Sequence, residues 1–421
     1  MPQEETRYHR RGFGLKQVIQ APLRNDYHSQ LVEDIRAAGY RLSRGRLTVR
    51  LAEQFGFCYG VDRAVEYAYE TRTQFPDRRL FLIGEIIHNP NVNGRLRDMG
   101  IIFLDPPEPL IQLKGNSLRL AGSGGAGTST ATSAEPYAGV GAEDVVIIPA
   151  FGVPVRDLDL LRKRGCILVD TTCGSVLNVW KNVDRYAREG FTSIIHGKYW
   201  HEETRATASR AQAPEGGHYL VLRDLQETAE TAAVITGEAD PEAFAERQRD
   251  ATSPGFDPAR HLERIGLANQ TTMLSSESLE ISEVLRKAML QRWGEAETAR
   301  RFRAFDTICS ATQERQDAVL ELLEEKLDLM IVVGGFNSSN TSHLAEIAAR
   351  RFPAYHIEDA SGVLSAWEIH HKSVDSHKPI LTRDWLPDGP VTVGLTSGAS
   401  TPNSKVGEVI ERLASCCGVS L

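Results

Sequence analysis

Short apolar runs that end in small or polar residues and then give way to a helical pattern recur along this chain of 421 residues. Residues 47–51 alternate apolar and polar positions at the period of a strand, and apolar residues recur within 61–68 at the period of a helix. A similar succession appears at 167–169 and 176–183. Strand-then-helix units in series predict α/β lobes with mainly parallel sheets, whose chemistry lies in the loops after the strands.

A chain of this length is too long for a single hydrophobic core, so the pattern predicts several lobes. The predicted division comprises an N-terminal extension at 1–45, lobe 1 at 46–165, lobe 2 at 166–305, lobe 3 at 306–400, and a C-terminal helix and tail at 401–421. Two polar segments interrupt the pattern, 117–143 within lobe 1 and 237–260 within lobe 2. Both are predicted to be surface insertions.

One cysteine in each predicted lobe follows an apolar stretch and precedes a helical pattern: Cys58, Cys173 and Cys309. A thiol at a helix start lies near the positive end of the helix dipole, which is expected to lower its pKa and favour the thiolate that metals bind. Three such thiolates that converge would hold a metal centre with one position left open. The alternative is that each cysteine only fills space in the core, because cysteine is among the most buried residue types.

Composition and charge narrow the possible function classes. Apolar residues make up 41% of the chain and charged residues 25%, as in ordinary globular proteins. The net charge of −8 argues against nucleic acid or an anionic membrane as a partner, and no apolar run reaches the ~20 residues that span a bilayer. Six cysteines in so long a chain are no disulfide framework, which favours a reducing cytoplasm. Cys166 is predicted to be a core residue. Cys416 and Cys417 are predicted to lie in the tail, with a redox-active role as the alternative.

A glycine-rich sequence in the first insertion matches a nucleotide-binding pattern by its letters alone. Residues 122–127 fit G-x-G-x-x-G, but low-complexity sequence lies on both sides, where a dinucleotide site needs a strand before and a helix after. The chain also lacks a G-x-x-x-x-G-K-[ST] loop. We therefore predict no nucleotide site.

Several loops after apolar strands carry groups that bind anions. Residues 337–340, Asn-Ser-Ser-Asn, open a helix and could form an anion site, although a single one of them would suffice as an N-cap. Ser400 lies beside a second predicted helix start. His201 and Glu203 leave the same face of an extended segment, where they could bind an anion and pass protons to it, or lie in a solvated loop. His88 ends a strand before an Asn-Pro turn and is either part of this site or a structural histidine.

Eight short motifs occur along the chain in a characteristic order. They are 57–61, 88–89, 170–173, 201–203, 270–272, 306–309, 337–340 and 397–400. In this order they resemble the 4-hydroxy-3-methylbut-2-enyl diphosphate reductase family, from roughly residue 45 to the C-terminus apart from the two insertions. The N-terminal extension and the loop at 197–201 resemble the longer branch of that family, which is found in cyanobacteria and plastids.

The resemblance implies a three-lobed α/β trefoil with mainly parallel sheets around a central iron–sulfur cluster. It implies that Cys58, Cys173 and Cys309 hold a [4Fe–4S] cluster whose fourth iron is open to substrate. The implied reaction is the reductive dehydroxylation of (E)-4-hydroxy-3-methylbut-2-enyl diphosphate to isopentenyl and dimethylallyl diphosphates. This is the last step of the methylerythritol phosphate route, and ferredoxin or flavodoxin would donate the electrons.

The resemblance also assigns roles to single residues. Glu203 becomes the proton source, and Thr271 helps to position the substrate oxygen. The diphosphate-binding positions fall on His88, His201, Ser338, Asn340 and Ser400, with Ser339 beside them. One departure from the pattern is Phe151, where many members carry histidine. The missing charge-assisted bond is worth about 1.5–3 kcal/mol, and Lys198 is one group that could compensate.

Two rival functions remain open at this point. A non-redox iron–sulfur hydro-lyase would use the open iron only as a Lewis acid and would need no electron donor. A binding or sensing module would hold structural zinc or a labile cluster without turnover. Zinc would leave the protein colourless, and structural zinc usually takes four protein ligands, where three widely spaced cysteines supply too few.

Overall fold

The structure is a computed structural model that describes residues 7–105, 110–112, 118–120, 136–212, 217–305 and 308–421. The glycine-rich motif at 122–127 and the Asp306-Thr307 pair lie outside the described residues, as does most of the predicted insertion at 117–143. Among the described residues, no helix is both long and apolar enough to cross a membrane.

The strands of the described residues are, in chain order, β1 (Tyr8–His9), β2 (Arg41–Arg44), β3 (Leu47–Leu51), β4 (Leu80–Ile83), β5 (Ile101–Leu104), β6 (Leu110–Gln112), β7 (Leu118–Leu120), β8 (Val145–Ile148), β9 (Ile167–Asp170), β10 (Thr192–His196), β11 (Tyr219–Leu222), β12 (Ile265–Asn269), β13 (Phe302–Ala304), β14 (Leu329–Val333), β15 (Ala354–Ile357), β16 (Glu368–Lys372), β17 (Pro379–Arg383) and β18 (Val391–Ser397).

The helices are, in chain order, α1 (Lys16–Tyr27), α2 (Gln30–Ala37), α3 (Tyr59–Gln74), α4 (Pro90–Asp98), α5 (Val155–Arg164), α6 (Gly174–Arg188), α7 (Glu202–Gln212), α8 (Leu225–Thr236), α9 (Pro241–Arg247), α10 (Pro258–His261), α11 (Ser275–Arg301), α12 (Ser310–Leu322), α13 (Ser339–Ala349) and α14 (Asn403–Cys416). Helix α11 is interrupted at Gly294, whose φ of 72° lies in the left-handed region.

Three larger sheets organise the described part of the chain, and their interiors are parallel. The first has the order β1-β9-β8-β4-β5, and the second has the order β11-β10-β12-β13. The third has the order β17-β16-β15-β14-β18-β3-β2 and is antiparallel only at its two edges. The predicted α/β class with mainly parallel sheets is therefore confirmed.

The central strands are buried along their whole length because helices cover both faces of each sheet. Every residue of β4, β8 and β14 is buried. In the first sheet, one face packs against the apolar side of α3 and the other packs against α5. This burial explains why these strands are continuous apolar runs, as is usual for parallel strands.

Sheet membership corrects the predicted lobe boundaries in two places. Strand β3, which we placed in lobe 1, pairs with β18 in the third sheet. Strand β9, which we placed in lobe 2, is a central strand of the first sheet, where β1 from the N-terminal extension pairs with it. The periodicity of a strand reveals which face is buried but not which strand is its neighbour, so the boundaries could not be fixed from the pattern.

Two further expectations need correction. The segment at 237–260 contains α9 and α10, and the fully buried Phe244 packs into the core of the second sheet, so the segment is not simply a surface insertion. Cys416 and Cys417 end helix α14, and Cys417 belongs to the core of the third sheet rather than to a free tail. Cys166 is buried as predicted.

The loops after the parallel strands of all three sheets meet at the centre of the molecule. Helices α3, α6 and α12 follow β3, β9 and β13, and α13 follows β14. Because the carboxyl ends of parallel strands share one edge of a sheet, each sheet directs its loops to this centre.

Candidate active site and metal centre

A cavity of about 670 Å³ lies where these loops meet. All of the residues that sequence analysis singled out for the site line it. They are Cys58, His88, Cys173, His201, Glu203, Thr271, Cys309, Ser338, Ser339, Asn340 and Ser400. The structure thus brings together side chains that lie up to 342 positions apart, since 400 − 58 = 342.

Each of the three cysteines is the residue that immediately precedes a helix. Cys58 is the N-cap of α3, Cys173 of α6 and Cys309 of α12, and all three have extended backbones. Their backbone N–H groups are anchored to carbonyl oxygens of other loops: Cys58 to Ala399 (3.1 Å), Cys173 to Ala150 (2.9 Å) and Cys309 to Thr271 (3.4 Å). The predicted placement of the thiols at helix starts is therefore present at all three positions.

The sulfur atoms converge on one space. A Cβ atom built on Gly60 would lie 2.5 Å from the Sγ of Cys173 and 3.9 Å from that of Cys58, so the absence of a side chain lets the two thiols approach. Cys309 Sγ accepts a hydrogen bond from Ser175 Oγ at 3.4 Å. All six cysteines of the chain are free thiols. This donor set fits a metal centre held by thiolates, such as an iron–sulfur cluster.

Burial raises the pKa of the Cys58 thiol, whereas a helix start was expected to lower it. A backbone N–H bond from Val61 and the charge of Arg315 act in the lowering direction, but loss of hydration is the larger effect. The partly buried Cys58 thiol therefore favours a cation that replaces its proton, as a bound metal does.

Arg315 was missed by sequence analysis. Its guanidinium is buried near Cys58 and Cys309, and Nη2 donates to Gly56 O at 2.8 Å. The signal that could have revealed it is a charged residue on the apolar face of α12, which also carries Ala318 and Leu322. Its positive charge compensates negative charge that collects on a thiolate centre.

Glu203 is almost completely buried and is held by a single residue. Its Oε1 accepts the backbone N–H of Thr271 at 2.6 Å, and its Oε2 accepts the Thr271 hydroxyl at 3.0 Å. Burial raises the pKa of Glu203 to about 7, although both bonds from Thr271 and the nearby His88 act in the opposite direction. A carboxyl group with this pKa can exist as an acid at neutral pH and can deliver a proton.

His88 and His201 form a close pair at one wall of the cavity. Their Nε2 atoms are 3.2 Å apart, and the ring of Phe151 stacks on His88 with a centroid distance of 4.3 Å and an interplanar angle of 20°. Phe151 also contacts His201 edge to face. The position where the resemblance led us to look for a histidine is thus filled by an aromatic ring that packs against both imidazoles.

Lys198 lies close enough to the histidine pair for its charge to lower the pKa of His201. It is not among the described residues that line the cavity, and burial lowers its pKa while Glu346 opposes this shift. The role of Lys198 in compensating for the missing histidine therefore stays a prediction.

Polar groups from two loops of the third sheet also line the cavity. Ser338 is the N-cap of α13 and accepts from Thr341 N, so the simpler capping interpretation holds for this residue. Asn340, in contrast, has a donor left over for a ligand. Its Oδ1 accepts from Ala399 N at 2.9 Å, whereas its buried Nδ2 has no hydrogen-bond partner among the described residues. Ser400 Oγ donates to His88 O at 3.2 Å. An unpaired donor beside a helix N-terminus suits an anionic ligand.

The fold and the cavity define an α/β protein in which three sheets with parallel interior strands surround a cavity lined by three cysteine thiols. Residues 49–414 match the family described as LytB protein. Similar curated proteins include the 4-hydroxy-3-methylbut-2-enyl diphosphate reductases of Gloeobacter violaceus, 48% identical over 98% of this chain and 93% of that protein, and of Synechococcus sp. strain CC9605, 49% identical over 97% and 95%. The chain belongs to the LytB family, which confirms the resemblance found in its sequence.

Two solved structures share the fold. The structure of an (E)-4-hydroxy-3-methyl-but-2-enyl diphosphate reductase, described as the terminal enzyme of the non-mevalonate pathway, aligns with a TM-score of 0.50 and 25% identity over 87% of this chain and 99% of that one. The E-1-hydroxy-2-methyl-but-2-enyl-4-diphosphate reductase of Plasmodium falciparum aligns with a TM-score of 0.60 and 20% identity over 88% of each chain. The second likeness concerns the fold alone.

Proposed function

We propose that this chain catalyses the reductive dehydroxylation of (E)-4-hydroxy-3-methylbut-2-enyl diphosphate, in which two electrons and two protons convert the substrate to isopentenyl or dimethylallyl diphosphate and water. Relatives with this activity in their names match nearly the whole chain. The observation that carries the proposal is one cavity lined by three helix-start thiols and by Glu203, an acid whose pKa burial raises to about 7.

Cys58, Cys173 and Cys309 would hold the iron–sulfur cluster. When bound, a [4Fe–4S] cluster with one iron free of protein ligands supplies electrons and Lewis acidity at the allylic C–O bond. The support from this chain is its donor set: three free thiols at one space, with the Arg315 guanidinium near two of them.

Glu203 and Thr271 would supply the proton that leaves with the hydroxyl group. Oε1 of Glu203 faces the backbone N–H of Thr271, which can only donate, so the acidic proton of neutral Glu203 resides on Oε2. The Thr271 hydroxyl can then accept this proton's hydrogen bond and direct its own hydrogen into the cavity. The pair would act as a short relay toward the substrate oxygen.

The diphosphate group would bind among the polar groups that line the cavity. The donors come from the histidine pair and from the loops of the third sheet: His88, His201, Ser338, Ser339, Asn340 and Ser400. The strongest candidates to donate hydrogen bonds to the diphosphate are the unpaired Nδ2 of Asn340 and the backbone N–H groups at the N-terminus of α13.

We further propose ferredoxin or flavodoxin as the electron donor and the cytoplasm as the location. One-electron donors suit a centre that takes up electrons singly, and thiolate ligands need a reducing compartment.

An anaerobic product assay with the cluster-loaded protein tests the proposal. We expect isopentenyl and dimethylallyl diphosphates only when a reductant is present. Turnover without any reductant would favour a non-redox hydro-lyase instead. A colourless protein that binds zinc and forms no product would contradict the reductase assignment.

A further inference from the structure

The imidazole of His88 has a different neighbour at each ring nitrogen. Its Nδ1 lies 3.0 Å from Glu85 Oε2, and its Nε2 lies 3.2 Å from His201 Nε2 and 3.6 Å from Glu202 Oε2. Phe151 stacks on one face of the ring. Glu203 also interacts electrostatically with His88. These contacts fix which nitrogen carries the proton.

The tautomer of His201 follows from a backbone bond. Its Nδ1 accepts the N–H of Glu203 at 3.2 Å, so Nδ1 carries a lone pair and Nε2 carries the hydrogen. Complete burial, together with His88 and Lys198, lowers the pKa of His201 well below its usual value, which keeps the ring neutral. The Nε2–H of His201 therefore donates to His88 Nε2. Since that atom accepts, the hydrogen of His88 is on Nδ1 and is donated to Glu85.

The hydrogen on His201 Nε2 also disfavours a metal ion at this wall. Ligand atoms of His88, His201 and Glu202 lie within 4.8 Å of one another, as a metal site would require. The Nε2 of His201 carries a hydrogen, however, and cannot coordinate a cation while Nδ1 accepts from the backbone of Glu203.

To bind a diphosphate group, the Nε2 atom of His88 has to donate a hydrogen bond and not accept one. Phosphate oxygens at pH 7.5 are acceptors, and His201 can already offer them its Nε2–H. His88 cannot, because its Nε2 has no hydrogen in the free chain. We propose that Glu85 is a positioning residue and counter-ion for His88, and that binding of the diphosphate group draws one proton from water onto His88 Nε2. The inference rests on the proposed function, which places the diphosphate at this wall.

The proton has a short route from solvent. A second cavity of about 380 Å³ adjoins the first and is lined by Glu85, Phe151 and Glu202, among others. The side chains of Glu85 and Glu202 are 36% and 44% exposed, whereas that of His88 is 9% exposed. The two carboxylates thus connect a buried imidazole to water. In the product of proton uptake, the imidazolium donates from Nδ1 to Glu85 and from Nε2 to a phosphate oxygen.

Isothermal titration of the cluster-loaded protein with isopentenyl diphosphate at pH 7.5 tests this inference. The terminal phosphate is almost fully ionised at this pH, so the ligand itself takes up or releases almost no proton. The binding enthalpy is measured in two buffers of different ionisation enthalpy, and the difference gives the number of protons that the protein takes up. An E203Q background removes any uptake by Glu203. In the E203Q protein we expect an uptake of between half a proton and one proton per bound ligand. In the E203Q/E85Q double variant we expect less than half of that uptake. The loss of the counter-ion should also weaken binding about tenfold.

The controls separate the possible outcomes. E242Q, at an exposed position of α9, should leave both the proton count and the affinity unchanged. E85D, whose shorter side chain should not reach His88, serves if E85Q does not fold. Weaker binding by E85Q with the full proton count would overturn the counter-ion role. Binding without proton uptake in the Glu85-containing protein would overturn the inference as a whole, whereas failure of that protein to bind isopentenyl diphosphate would overturn the proposed function.

Discussion

At the scale of single residues, burial shapes the chemistry of the cavity. It raises the pKa of Glu203 to about 7, raises that of Cys58 and lowers that of His201. The directions differ, but in each case loss of hydration disfavours the charged form. The cavity therefore favours the neutral forms of its acids and bases, and a ligand that compensates their charge favours the ionised forms.

The first prediction concerns the proton supplied by Glu203. The E203Q substitution keeps the size of the side chain and removes its acidic proton. We expect the cluster and substrate binding to persist, while turnover falls at least ~100-fold, the low end for loss of general acid catalysis. Steady-state assays with an artificial reductant measure this effect. E346Q is a matched control, because Glu346 is another carboxyl whose pKa burial raises but which lies outside the cavity lining.

The second prediction is the pH profile of turnover. The acid form of Glu203 predominates below a pKa of about 7 and is lost above it, because its pKa is raised from the usual value of 4.5. With saturating reductant, we expect turnover to fall as pH rises through about 7, and we expect this limb to be missing from the residual activity of E203Q. A falling limb that persists in E203Q would assign the titration to another group.

At the scale of secondary-structure elements, the start of a helix is the unit that builds the site. The sequence predicted helix starts at Cys58, Cys173 and Cys309, because an apolar strand and a helical periodicity meet there. Local pattern is sufficient for such a boundary. It is insufficient for the partner of a strand, and for this reason β3 and β9 were assigned to the wrong lobes.

The third prediction uses Gly60 in the first turn of α3. A Cβ atom at this position would lie 2.5 Å from Cys173 Sγ, so G60A should push two thiols apart and lower the iron content at least about twofold. G174A is a matched control in the first turn of α6, where a Cβ atom meets nothing within 4 Å. Iron and sulfide analysis checks both variants. Equal cluster content in G60A and G174A would contradict the proposed convergence of the sulfurs.

At the scale of the whole molecule, three sheets each contribute loops to one cavity. No local pattern specifies that Cys58 and Cys309 approach each other, and the convergence was expected only from the order of eight motifs. Ser175, Arg315 and Glu85 escaped sequence analysis because their importance depends on neighbours from other segments: Cys309, the thiol centre and the histidine pair, respectively. Such contacts arise from tertiary packing.

The fourth prediction follows from this shared construction. C58S, C173S and C309S should each lose most of the visible absorbance of the cluster, because each removes the ligand that one loop would supply. C166S should retain it, since Cys166 lies in the core of the first sheet and donates to Leu161 O, which serine can also do. Full absorbance in any of the first three variants would remove that cysteine from the ligand set.

The most direct test of the central claim is an electron paramagnetic resonance spectrum of the reduced protein, recorded before and after addition of (E)-4-hydroxy-3-methylbut-2-enyl diphosphate. We expect an iron–sulfur signal that changes when the substrate is added, because the iron without a protein ligand would lie in the same cavity as Glu203 and the proposed diphosphate-binding residues. An iron–sulfur signal that is unaffected by saturating substrate, or the absence of such a signal from the reduced protein, would contradict it.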